Sequence, residues 1–119
     1  MSERSDLLQK FNKAFATCDF EFILEQVTDD ICWVIIGQQK VEGKEAFEEA
    51  LKAMLTGDEI TITIDHNITH GKEAVLNGTV HNPGQNKTYA FCDIYDFDGL
   101  KDARIKKLTS YVIEEKGTN

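Results

Sequence analysis

Basic residues are scarce in this chain: 13 Lys and Arg stand against 21 Asp and Glu, a formal net charge of -8. A nucleic-acid backbone or an anionic membrane needs a cationic face, so neither is expected as a partner, and solubility accounts for the acidity. Proline is almost missing. Pro83 is the only one, and no Gly/Ser-rich stretch or charge block divides the 119 residues. The expectation is one domain over residues 1–119. No apolar run is long enough to span a bilayer. The opening MSERSDLLQKFNKAF carries acidic residues where an export signal needs a basic start and an unbroken apolar stretch. Cysteine is sparse as well. Cys18, Cys32 and Cys92 form an odd set with no metal-ligand spacing, which points to reduced thiols in the cytoplasm. No metal and no cofactor is expected.

What is present is a 41% hydrophobic content laid out in two periodicities. Leu7, Leu8, Phe11, Ala14 and Phe15 recur at helical spacing and predict an amphipathic helix over 3–17. Asp19 is placed to cap a second, shorter helix with Phe20, Ile23, Leu24 and Val27 on its apolar face. Ile31 to Ile36 reads as a strand, Gly37 to Gly43 as a polar connection, and Lys44 to Leu55 as a third helix bearing Phe47, Leu51 and Met54. From there the period is two. Ile60, Ile62, Ile64, His66 and Ile68 alternate with polar residues. Strands follow over 73–81, 88–97 and 103–113, broken by turn signals at His70-Gly71-Lys72, Asn82-Pro83-Gly84 and Asp98-Gly99. Segregated helices and an antiparallel meander make an α+β fold, and helices laid on one sheet leave a conical cavity between the layers.

Three stretches carry a family resemblance. Phe15-Ala16-Thr17-Cys18-Asp19-Phe20, running to Thr28-Asp29-Asp30, has the register of helix, acidic cap, helix, Asp-Asp and strand. Val41-Glu42-Gly43-Lys44-Glu45-Ala46-Phe47 leads into a helix from a glycine. Asp93-Ile94-Tyr95-Asp96-Phe97-Asp98-Gly99 is a strand ending in an Asp-Gly turn. In order and spacing these resemble the SnoaL-like and ketosteroid isomerase-like families of the nuclear transport factor 2-like superfamily. The resemblance implies a cystatin-like cone: three N-terminal helices on a curved, mostly antiparallel sheet that encloses a small-molecule pocket. It also implies a homodimer covering the opposite sheet face, where Ala90, Cys92 and Ile94 are small and apolar.

Ketosteroid isomerases use a carboxylate base, a tyrosine and a protonated aspartic acid. The tyrosine position falls on Phe11 and the base position on Ile35, so only the acid position is filled, by Asp93. That speaks against the ketosteroid mechanism. SnoaL-type cyclases, with an acid/base aspartate on a late strand and a histidine nearby, resemble it better, through Asp93 and His81.

Asp93 shares a strand face with Tyr89, Phe91, Tyr95 and Phe97. Among aromatics a carboxyl loses hydration, which raises its pKa and suits it to proton transfer; a structural aspartate satisfied by its neighbours is the alternative. His81 lies on the alternation Val75, Asn77, Thr79, His81 and reads either as a base or as a solvated turn histidine. His66, on the isoleucine face, is expected to be partly buried. Phe11, Phe15, Trp33, Ile35, Met54, His66, Tyr89, Phe91 and Tyr95 are the expected pocket lining. The expected ligand is small and apolar or aromatic, and the expected activity is an isomerase, cyclase or lyase type of proton transfer. A non-catalytic binding or dimerisation module is the other reading.

Overall fold

The computed structural model describes residues 3–55, 57 and 59–115; Met1, Ser2, Thr56, Asp58 and Lys116 to Asn119 lie outside the described residues. Helix α1 spans Glu3–Thr17 and α2 spans Phe20–Glu25. Strand β1 (Val27–Ile35) and β2 (Gln39–Glu42) follow, then α3 (Lys44–Met54), β3 (Thr61–His70), β4 (Glu73–Asn82), β5 (Lys87–Phe97) and β6 (Ile105–Glu115). Two helices therefore precede the sheet, and the third is inserted after its first hairpin.

The six strands form one sheet in the order β2-β1-β6-β5-β4-β3. The β1–β6 pair is parallel and the other pairs are antiparallel. The helices lie on one face, with α1 against β3 and α3 against β1. The core between the layers is built from Leu8, Phe11, Ile23, Phe47, Leu51, Leu76, Phe97 and Leu108, all buried. Burying such side chains stabilises the fold by about 1.5–3 kcal/mol each.

Local chemistry explains most boundaries. Asp19 caps α2, its Oδ1 accepting from the Phe22 N–H at 3.2 Å, which fills one of the donors that a helix start leaves open. Gly43 enters α3 at φ 93°, a backbone region that disfavours residues with a Cβ. At the far end of the molecule the Arg4 guanidinium donates to the carbonyls of Gly71 (2.8 Å) and Leu100 (3.0 Å). It also lies 4.0 Å from the centre of the Phe97 ring. One side chain thus ties α1 to both the β3–β4 turn and the β5–β6 connection.

The structure departs from the sequence expectations in four places. Residues 39–42, expected as connection, form the edge strand β2, because a charged strand of four residues has no apolar alternation to reveal it. Val27, expected on the face of α2, begins β1, and Asp29 and Asp30 sit within that strand. The β1–β6 register shifts between Val27 and Cys32, which lets the strand carry both exposed aspartates. The Asp98-Gly99 signal is not a two-residue hairpin: β5 ends at Phe97 and β6 starts at Ile105. Asp98 closes that longer connection through Oδ1, which accepts from the Arg104 N–H at 2.9 Å. Finally, β3 changes face midway.

That change is a β-bulge. Ile64 pairs with Gly78 and His66 with Asn77, leaving Asp65 unpaired. One extra residue reverses the alternation that follows. Ile62 and Ile64 face the helices, whereas His66 and Ile68 are turned outward, Ile68 being 59% exposed. The bulge sits opposite Gly78, where a Cβ would collide with the Thr63 carbonyl.

Candidate functional site

A cavity of about 490 Å³ opens between the helices and the sheet. Asn12 and Phe15 of α1 line it, with Trp33 and Ile35 of β1 and Met54 and Leu55 at the end of α3. The sheet contributes Ile60 and Ile62, Val80 and Asn82, Tyr89, Phe91 and Asp93, and Leu108, Ser110 and Val112; Gln38 adds its side chain from the β1–β2 turn. Alternation selects these residues: each strand turns every second side chain inward. The wall is mostly apolar, with edge-to-face contacts linking Phe15 to Trp33 at 6.4 Å and Trp33 to Phe47 at 5.4 Å.

Among the described residues Asp93 is the only acidic side chain in that wall. It sits in the middle of the sheet, paired with Leu76 on one side and Ser110 on the other. It is half-buried because it opens onto the cavity, yet the enclosing protein strips most of its water. Burial pushes its carboxyl up from 3.8 to about 6, while hydrogen bonds from Ser110 and Tyr95 pull the other way. Desolvation outweighs the two bonds because it destabilises the charged form as a whole. Tyr95, wholly buried, has its phenol pushed well above 10, first by burial and then by the adjacent Asp93 charge, so it remains a hydrogen-bond donor.

Two chains of donors converge on this carboxyl. The Trp33 Nε1–H donates to Ser110 Oγ at 2.9 Å, and Ser110 bonds to Asp93. On the other side Asn12 Nδ2 donates to Tyr95 Oη at 3.0 Å, and Tyr95 bonds to Asp93. An indole and an amide NH₂ can only donate. Each hydroxyl therefore receives a hydrogen on its lone pair and turns its own O–H toward the carboxyl.

The structure brings Asp93, Phe15, Trp33, Ile35, Met54, Tyr89 and Phe91 to the cavity wall. Four expected residues are not there. His81 is on the opposite face of the sheet, its Nδ1 2.8 Å from Thr88 Oγ1. The inward set on β4 is Ala74, Leu76, Gly78, Val80 and Asn82, with Ala74 and Leu76 buried, while Val75 lies on the His81 face. His66 is exposed on the outer face beside Asn77 Oδ1 at 2.8 Å, displaced there by the Asp65 bulge. Phe11 and Tyr95 are buried in the core rather than in the wall, 6.0 Å apart between ring centres. Tyr95 acts on the site from beneath it.

Sequence reading missed Asn12, Ser110 and Asn82. Each had a signal: a polar residue on an otherwise apolar stripe. Asn12 falls among Leu8, Phe11 and Phe15 on α1, Ser110 between Leu108 and Val112 on β6, and Asn82 after Leu76 and Val80 on β4. A polar group at a core position is hydrogen-bonded or functional. Among the described residues no cluster of three or more His, Cys, Asp or Glu is placed to hold a metal ion.

The same architecture recurs in solved structures. A nuclear transport factor 2-like protein of unknown function from Cytophaga hutchinsonii ATCC 33406 is 28% identical, with a TM-score of 0.73 over 92% of this chain and 98% of that one. An LEH-like epoxide hydrolase from M. tuberculosis is 18% identical, with a TM-score of 0.75 over 90% of this chain and 80% of its own. A candidate SnoaL-like polyketide cyclase from Shewanella putrefaciens CN-32 is 15% identical, with a TM-score of 0.82 over 95% and 81%. No curated protein matches the chain. The profile of the SnoaL-like domain matches residues 8–107, from the first buried turn of α1 to the start of β6, a span that holds the cavity's aromatic wall and Asp93. The chain belongs to the SnoaL-like domain family.

Proposed function

We propose that this chain binds a small, largely apolar molecule in the cavity and that Asp93 passes a proton to or from it. The observation that carries the reading is the one carboxyl that the described residues place in an apolar wall, held at about 6. A group that is half protonated near pH 6, and still partly protonated at neutral pH, is matched to both halves of a proton transfer. The apolar surroundings exclude competing water, and the two hydroxyl donors keep the carboxyl in one orientation. Isomerisation, cyclisation and lyase chemistry all need such a group. The ketosteroid mechanism is not among them, because Phe11 and Ile35 offer no hydroxyl and no second carboxylate.

The test is a binding screen of small apolar molecules. Trp33, the single tryptophan of the chain, lies in the wall and reports occupancy by its fluorescence. Each binder is then assayed for turnover and for solvent-deuterium incorporation. Asp93→Asn should retain binding and lose exchange. If no member of a broad apolar set binds, the reading fails; if Asp93→Asn exchanges as fast as the parent, its proton-transfer part fails.

A second reading is a binding or dimerisation module without chemistry. It is favoured by the lack of any second acidic or histidine side chain in the cavity wall among the described residues. Either way, we propose that a second copy covers the outer sheet face, where Ala90, Cys92 and Ile94 are half-buried and Tyr111 and Ile113 are 44% and 70% exposed. Sedimentation of a monomer at micromolar concentration would contradict this. The three unpaired cysteines fit a reducing compartment, the cytoplasm. No helix among the described residues is long and apolar enough to cross a membrane.

A further inference from the structure

We propose that the polar end of the cavity selects a neutral hydroxyl group over a carbonyl, with Asn12 as the specificity-determining residue. The inference rests on the ligand-binding reading above and names the chemical class of the ligand: an apolar alcohol or phenol.

The argument is a count of donors and acceptors. Asn12 is buried yet contributes to the cavity wall. Its Nδ2 makes two bonds within the protein, to the Leu8 carbonyl at 2.9 Å and to Tyr95 Oη at 3.0 Å. A backbone carbonyl accepts only, so the bond to Leu8 settles which end of the amide is nitrogen. Both hydrogens are used, and what the amide has left for a ligand is the acceptor Oδ1. The Asp93 carboxyl is close by, since the Tyr95 hydroxyl bonds to both groups. Ser110 and Tyr95 each turn their O–H toward Asp93, so neither hydroxyl has a hydrogen left for a ligand.

The site therefore presents one fixed acceptor, Asn12 Oδ1, beside one group that carries a proton or lacks it. A ligand hydroxyl satisfies this pair in either state. With Asp93 neutral, the hydroxyl accepts from the carboxyl and donates to Asn12 Oδ1. With Asp93 ionised, it still donates to one of the two acceptors. A carbonyl oxygen only accepts. It can accept the Asp93 O–H when Asp93 is neutral but then faces Asn12 Oδ1 lone pair to lone pair, and it finds no donor on Asn12, Ser110, Tyr95 or Asp93 when Asp93 is ionised. The amide of Asn82 does not alter the count. It lies six residues along β4 from Leu76, the residue opposite Asp93, which is roughly 20 Å of strand.

The probes are tetralol and tetralone, an alcohol and a ketone on one bicyclic skeleton. Each is titrated into the full chain with Trp33 fluorescence as the readout. The alcohol should bind about tenfold more tightly, the order expected for one hydrogen bond gained and one mismatched acceptor avoided. Asn12→Leu keeps the branched shape, removes Oδ1 and should bring the two affinities together; circular dichroism checks its fold. Equal affinities in the parent chain overturn the inference whatever the variant does, as does a preference that survives Asn12→Leu. If neither probe nor any other apolar molecule binds, it is the ligand-binding reading that fails.

Discussion

Trp33 and Ser110 lie 77 residues apart in sequence and 2.9 Å apart in space, joined by a bond from indole to hydroxyl. Parallel pairing sets the contact: Trp33 is opposite Leu108 and Ile35 opposite Ser110, so both side chains point into the same layer. Because the indole cannot accept, the bond directs the serine hydrogen toward Asp93. Ser110→Ala removes that donor, and Asp93 should then titrate roughly one pH unit higher, the order of a hydrogen bond to a charged group. Trp33→Phe frees the hydroxyl without removing it and should give a smaller rise. Carbon NMR of the Asp93 carboxyl measures both; no rise in Ser110→Ala would show that the bond does not act on the titration.

The same carboxyl links stability to pH. Its folded value of about 6 stands above the ordinary 3.8, so between those values the native state holds more protons than the unfolded chain. Its contribution is present below about pH 4 and is lost as pH rises through 6, amounting to about 3 kcal/mol for a displacement of two pH units. Asp93→Asn removes this slope. The variant should gain on the parent between pH 4 and pH 7, measured as the difference of their urea midpoints at each pH. A constant difference would show that Asp93 titrates at its ordinary value.

Tyr95 and Asn12 should behave as one unit. Tyr95→Phe leaves one hydrogen of the Asn12 amide without an acceptor and removes one of the two donors to Asp93, which costs about 1–3 kcal/mol. Once Tyr95 is Phe, replacing Asn12 by Leu should cost little, because no buried donor is stranded. Denaturant unfolding of the two single variants and the double variant gives the coupling; additive effects would contradict the network.

Gly78 carries a steric constraint. Gly78→Ala places a methyl against the Thr63 carbonyl at the bulge that turns β3. The clash involves backbone, so rotating a side chain cannot relieve it. The expected cost is about 2–3 kcal/mol or more, with loss of amide-exchange protection concentrated in β3. Protection lost uniformly over the whole sheet would place the strain elsewhere.

Arg4→Ala should open the other end of the molecule. It removes the bonds to Gly71 and Leu100 and the cover over the Phe97 ring. A lowering of Tm by several degrees is expected, from about 1–2 kcal/mol. Arg4→Lys should not restore it, because one ammonium cannot reproduce a planar fork that also stacks on an aromatic face.

The sequence by itself determined the element types and most of their order, because amphipathic period alone decides whether a segment buries a stripe or alternate residues. It also placed Asp93 correctly among aromatics, since Tyr89, Phe91, Asp93 and Tyr95 keep one parity along an unbroken strand. Parity was also what failed. A single bulge at Asp65 sends His66 outward, and on β4 the choice between the His81 and Asn82 faces depends on which side the helices cover. Neither is a local property. Asn12 and Ser110 were visible as polar residues on apolar stripes, but their meaning depends on partners 83 and 77 residues away. Only the packed structure decides that, because a hydrogen bond is made by two groups meeting in space, and the chain distance between them carries no trace of it.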